Sequence, residues 1–145
     1  MRLLTFFLIG TSSLGTAADR EGERLFALKV RGIFSSKCVA CHGEDGTKLK
    51  GDLDLTSRAA MLKGGESEVA SMMPGKPMAS PLYLAATREN EDDWSAMPPK
   101  ENDKLSAEQV AYIKDWIAKG APWPDEKRIA AILKEADPWL SLIHI

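Results

Sequence analysis

Cys38-Val39-Ala40-Cys41-His42 is the stretch on which the reading of this 145-residue chain turns. Two thiols three residues apart on one helical turn share a face, and an imidazole follows directly. The chain has 2 Cys and 2 His, the second histidine being His144. That set cannot complete a structural zinc site, which takes four Cys or His ligands, and it cannot staple a disulfide scaffold. A thioredoxin-like redox pair expects a strand before it. Here the preceding residues Phe26, Val30, Ile33 and Phe34 fall at i, i+4, i+7 and i+8 of one helix face, so a helix runs into Cys38. An incidental disulfide would leave His42 without a role. C-x-x-C-H is the spacing of c-type haem attachment. Two thiols one turn apart can reach the two vinyl groups on one porphyrin edge, and the next side chain can bind iron through a neutral imidazole nitrogen. One covalent haem c is therefore the expected cofactor.

Upstream of this helix, Met1-Arg2 is followed by the apolar Leu3 to Gly10 and then by Gly15-Thr16-Ala17-Ala18. Residues 1–18 read as a secretory signal peptide cleaved after Ala17 or Ala18. A membrane anchor needs about 20 consecutive apolar residues, and Thr11, Ser12 and Ser13 interrupt the run. No membrane span is expected after cleavage, and the expected location is periplasmic or otherwise extracytoplasmic. The whole chain is 44% hydrophobic and 28% charged with a net charge of −2 and a pI near 5.7. Such a balance describes one ordinary domain and offers no uniform positive field for a phosphate backbone, so nucleic acid is not an expected partner.

Downstream, Gly43 to Gly51 reads as loop. A short helix follows, capped by Thr56 or Ser57 and ended by Gly64-Gly65 in a left-handed turn. Pro74-Gly75-Lys76-Pro77 is a turn, and Ser80-Pro81 starts a helix through Arg88. The acidic run Glu89 to Asp93 reads as a solvated loop. Ser106-Ala107-Glu108-Gln109 is a capping box for a helix carrying Val110, Ile113, Trp116 and Ile117 and stopped by Gly120. A last helix spans Asp125 to Ala136, with Ile129, Ile132 and Leu133 on one face. No strand alternation or repeat is present, so the class is all-α with long loops, and a covalent group filling the core would offset what those loops fail to bury.

A second iron ligand follows by elimination. Bis-histidine ligation would need His144 at the extreme C-terminus, which favours a thioether. Met61 sits in a helix pattern and reads as core, and Met72 and Met73 could be either core or ligand. Met97 is the expected ligand, since it lies 55 residues after His42, enough chain to pass around the ring, and Pro98-Pro99 stiffen its loop. Its plain alternative is an exposed loop methionine, and Met78 is the next candidate.

The order of helix, Cys38 to Gly43, Met97-Pro98-Pro99 and closing helix resembles a class I cytochrome c. Within that superfamily the chain resembles the planctomycete-type cytochrome c domain. The segments that carry the resemblance include Gly51-Asp52-Leu53-Asp54-Leu55, Ser57 to Gly65, Pro74-Gly75-Lys76-Pro77, Met97-Pro98-Pro99-Lys100 and Gly120-Ala121-Pro122-Trp123-Pro124. The resemblance implies a class I cytochrome c-like fold for residues 19–124, with N- and C-terminal helices packed around a covalently bound haem c. It implies Cys38 and Cys41 as thioether attachments, His42 as proximal and Met97 as distal ligand, and Trp116 and Ile117 as an apolar wall of the haem pocket. Residues 125–145 are expected to be a C-terminal helix or linker at the end of a fragment, because Leu140 to Ile145 looks like translated adaptor sequence.

The expected function is one-electron transfer, a carrier and not a catalyst. Its expected partner is a redox protein acting as donor or acceptor, or a downstream domain of the same polypeptide, approaching the mildly basic segment around the cysteines. The alternatives are an open iron performing peroxide or small-ligand chemistry, and a haem module at the N-terminus of a larger exported enzyme.

Overall fold

The computed structural model of the chain describes residues 16–43, 49–89 and 92–137. Residues 1–15 of the expected signal peptide, part of the glycine-rich loop, the centre of the acidic run, and the C-terminal stretch with His144 lie outside the described residues. Among the described residues the regular structure is helical throughout, with no strands.

The helix expected to reach Cys38 is a single run in three parts. Helix α1 spans Ala17–Leu25, a π-helical turn spans Phe26–Val30, and α2 spans Arg31–Lys37. The run starts two residues before Asp19, where Thr16 Oγ1 accepts from the Asp19 N–H at 3.2 Å and the Asp19 carboxylate accepts from the Thr16 N–H at 2.8 Å. This reciprocal cap satisfies two donors that a helix start leaves open. Phe26, Val30, Ile33 and Phe34 are all buried, as their spacing requires.

Helix α6, Ala107–Ala118, packs across this run. Its capping box is in place, with the Gln109 N–H donating to Ser106 Oγ at 3.2 Å and the Ser106 N–H donating to Gln109 Oε1 at 2.9 Å. Its end is a Schellman motif: Ala121 N–H bonds to Trp116 O and Gly120 N–H to Ile117 O, both at 2.9 Å, with Gly120 at φ +88°. The close approach of α1 to the following turn depends on Gly22, where a Cβ would come within 2.6 Å of Pro122 Cγ.

Four aromatic rings fill the space between these helices. Phe26 lies 5.7 Å from Trp116 and 4.4 Å from Trp123, and Phe34 meets Trp116 edge-on at 5.6 Å. Trp116 is wholly buried, and its indole N–H donates to Pro122 O at 2.9 Å, as a buried indole requires. Full burial of each large apolar side chain here stabilises the fold by about 1.5–3 kcal/mol.

Helix α7, Glu126–Ala136, starts on an Asp125 cap and buries Ile129 and Ile132. It is pinned to the first run by Arg31–Glu126 at 3.0 Å and Arg128–Glu23 at 2.8 Å. These pairs are exposed to solvent and add little to stability. The remaining helices are short: α3 Val39–His42, α4 Arg58–Lys63 and α5 Pro81–Thr87. Helix α4 has the expected Ser57 cap and a Gly64 exit at φ +80°. Ser80 precedes α5 without capping it. Its wholly buried hydroxyl instead accepts from Met73 N–H and donates to Lys76 O, both at 2.9 Å, and so closes the Pro74 to Pro77 turn on itself.

Candidate haem site

The backbone breaks at Cys38, with φ −121° and ψ −46°, between α2 and α3. The break is still bonded on both sides: Cys38 N–H donates to Phe34 O at 2.9 Å, and the N–H groups of Cys41 and His42 donate to Cys38 O at 3.1 and 3.0 Å. The two cysteines therefore sit one turn apart on a rigid extension of the first helix. Both thiols are free, with Cys41 exposed and Cys38 half-buried. Burial, with the neighbouring Cys41 adding a smaller contribution, pushes the Cys38 thiol up to about 11. At neutral pH it is protonated.

His42 Nδ1 lies 3.2 Å from the carbonyl oxygen of Leu53. A carbonyl can only accept, so Nδ1 carries the proton and Nε2 keeps its lone pair for a metal. The Leu53 carbonyl is held by a 3-10 turn, Lys50–Asp52, whose Gly51 and Asp52 take φ of +63° and +50°. Glu66 N–H bonds to Gly51 O at 2.8 Å. A Cβ on Gly65 would come within 2.3 Å of that same oxygen, so only glycine lets the two loops meet. Leu55 N–H returns to His42 O at 2.8 Å. The segment Gly51 to Leu55, known from the sequence only as a likeness, is thus a backbone clamp on the imidazole.

Cys38, Cys41 and His42 open onto a cavity of about 680 Å³, within the roughly 300–1,000 Å³ range of cofactor sites. Met97 lines the same cavity. Of the methionines after His42 it is the one that does. Met61 and Met72 are wholly buried in the core, Met73 is not part of the lining, and Met78 is 66% exposed on the outside. Met97 sits on a loop between α5 and a 3-10 turn at Glu101–Asp103. Its N–H donates to Ala85 O at 3.0 Å, and the Met97–Pro98 peptide is cis.

Two pocket residues expected from the likeness stand elsewhere. Trp116 and Ile117 are buried in the core but do not line this cavity. Trp116 is held in the aromatic cluster by its bond to Pro122 O, and α6 reaches the cavity one turn earlier with Ile113. The lining also takes Trp94, which the sequence does not single out because it follows an acidic run that reads as solvated loop. The lining also holds Lys37, Lys50 and Lys100 together with Glu66, Asp93 and Asp103, so it carries both signs. Lys37 and Asp103 approach to 3.9 Å.

Among the described residues no group of three or more His, Cys, Asp and Glu gathers as a metal site by itself. The donors here are two thiols, one imidazole nitrogen and one thioether around a largely apolar cavity. That set suits a porphyrin-held iron. A family model described as planctomycete cytochrome C matches residues 38–101, which runs from the first cysteine to just past Met97. That stretch is a planctomycete-type cytochrome c domain. Cytochrome c domains are haem-binding electron carriers, typically extracytoplasmic, and the all-α architecture agrees with this one. Neither the curated proteins nor the solved structures gave a match to the chain. No helix among the described residues is long and apolar enough to cross a membrane.

Proposed function

We propose that the cytochrome c domain carries one covalent haem c and passes single electrons. Cys38 and Cys41 would form the thioether links, His42 Nε2 would be the proximal ligand and Met97 the distal one. The observation that supports this most is the convergence of both thiols, the Nε2-directing bond to Leu53 O and Met97 on one cavity. Bound haem supplies a one-electron ferric/ferrous couple. The chain's own residues do the rest. The Leu53 carbonyl fixes the imidazole proton on Nδ1, the apolar lining from Leu82, Ala85, Ile113 and Leu53 keeps water off the ring, and a thioether in such surroundings favours the ferrous state.

The reading extends to export by a signal peptide at residues 1–18, a haem domain at 19–124 and an accessory helix or linker at 125–145. Cleavage after Ala17 or Ala18 would remove the Thr16 cap and leave Asp19 in the first turn, where its charge still suits the helix N-terminus. The partner would be a redox protein or a downstream domain of the same polypeptide. An iron left open by Met97, performing peroxide or small-ligand chemistry, is the competing reading. Oxidised spectra separate the two: a methionine-to-iron charge-transfer band near the red end of the visible range supports a carrier, and a high-spin spectrum supports catalysis.

A further inference from the structure

Arg88 ends α5 in the left-handed region, at φ +60° and ψ +18°. Glycine or asparagine normally takes that position, because a larger side chain is crowded there. A conformation of this kind persists only where the surroundings hold it. What holds Arg88 is the loop that carries Met97. Its Nη2 donates to the carbonyl oxygens of Pro98 and Lys100, the second at 3.1 Å, and its Nη1 pairs with Glu101 at 2.5 Å. The side chain is 18% exposed, and its Nε is buried without a partner. The hold on the loop therefore rests on the two terminal nitrogens.

The loop needs such a hold because Pro98 and Pro99 have no N–H to donate. Met97 N–H to Ala85 O is the backbone tether between the loop and α5, and past it the backbone offers two successive residues without a donor. A planar guanidinium spans several acceptors with one rigid fork. From the end of α5 it can bind the first proline's own carbonyl and that of the residue after the second, one and three residues past Met97.

We propose that Arg88 is a positioning residue for the distal ligand. By gripping 98–101 it fixes the path of the loop and so holds the Met97 thioether in the cavity, ready to compete for iron against water or a small exogenous ligand. A ligand already in place loses less freedom on binding than one on a loose loop. The proposal rests on Met97 being the distal ligand.

The test uses the haem-loaded protein and three variants. Arg88→Gln removes the fork, and Arg88→Lys keeps the charge but loses the bidentate geometry. Arg58→Gln is the control: Arg58 likewise caps backbone carbonyls, those of Ala121 at 3.0 Å and Gly120 at 3.4 Å, away from the Met97 loop. Imidazole affinity of the ferric protein and the methionine charge-transfer band are the readouts. Arg88→Gln is expected to bind imidazole at least about tenfold tighter, a shift of order 1.4 kcal/mol, with a weakened band. Arg88→Lys is expected to fall between it and the parent. Arg58→Gln is expected to lower the unfolding temperature and leave both readouts unchanged. Should Arg88→Gln fail to mature, Arg88→Lys decides alone. Parental imidazole affinity and an intact band in the Arg88 variant tested would overturn the proposal, as would an equal effect of Arg58→Gln. A parent protein without the band would instead overturn the Met97 assignment beneath it.

Discussion

The two ends of this molecule are held together by different physics. Around α1, α2, α6 and α7 the fold rests on burial: Phe26, Val30, Ile113, Trp116, Ile117 and Ile132 are each no more than 1% exposed, and ion pairs such as Arg31–Glu126 only decorate the seam. Around the cavity the chain is mostly loop, and single polar contacts do the holding, with Leu53 O on His42, Gly51 O on Glu66 N–H, and Arg88 on the carbonyls beside Met97. Damage at the first end should therefore appear as lost stability with ligation intact. Damage at the second should appear as altered ligation in a protein that still folds.

Met97→Ala gives the largest separation of the two. The side chain is 38% exposed and contributes nothing to the helix-packed core. Complete loss of the charge-transfer band is expected in a protein that still matures with haem, whereas Met78→Ala, at a 66% exposed site, should keep the parental spectrum. A band surviving in Met97→Ala would break the comparison at its second term. Trp116→Ala tests the first term. Truncating this wholly buried ring should cost about 3–5 kcal/mol in denaturant unfolding while the band stays in place. A spectral change as large as that of Met97→Ala would mean that the cluster does reach the haem.

The smallest effect concerns the chain before haem attachment. Cys38 is held up to about 11, first by burial and then by Cys41, so its reactive thiolate is scarce near neutral pH. Iodoacetamide should alkylate the exposed Cys41 first, with the Cys38 rate climbing as pH rises toward 11. The sign of the stability effect follows. A folded-state value above the ordinary thiol value of 9.0 leaves folding undisturbed below pH 9 and weakens it progressively as pH rises from there to about 11. Equal alkylation rates at neutral pH would show that Cys38 is not shielded by the fold.

Side-chain pattern made the buried end readable from sequence. The spacing of Phe26, Val30, Ile33 and Phe34, the Ser106–Gln109 box and the Gly120 stop each name their element because residue type and helix period carry the information. The π turn at Phe26–Val30 was not readable, since the shift in hydrogen bonding involves backbone atoms common to every residue. The cavity end announces in sequence the residues whose chemistry is side-chain borne, Cys38, Cys41, His42 and Met97, and all four line the cavity. It was opaque where a carbonyl is the working group, as at Leu53, or where a contact bridges a loop, as at Arg88. Trp116 and Ile117, which the resemblance put at the haem wall, show the limit of a family likeness: helical spacing places them on the buried face, but neither spacing nor likeness says which turn of that face meets the cavity.

The most direct test of the account is the pyridine haemochrome spectrum of the protein matured in a host competent for c-type haem attachment. The account predicts a c-type spectrum with both vinyl groups saturated, one haem per chain, and colour that survives acid-acetone extraction. A spectrum of unattached b-type haem, or colourless protein, would contradict it.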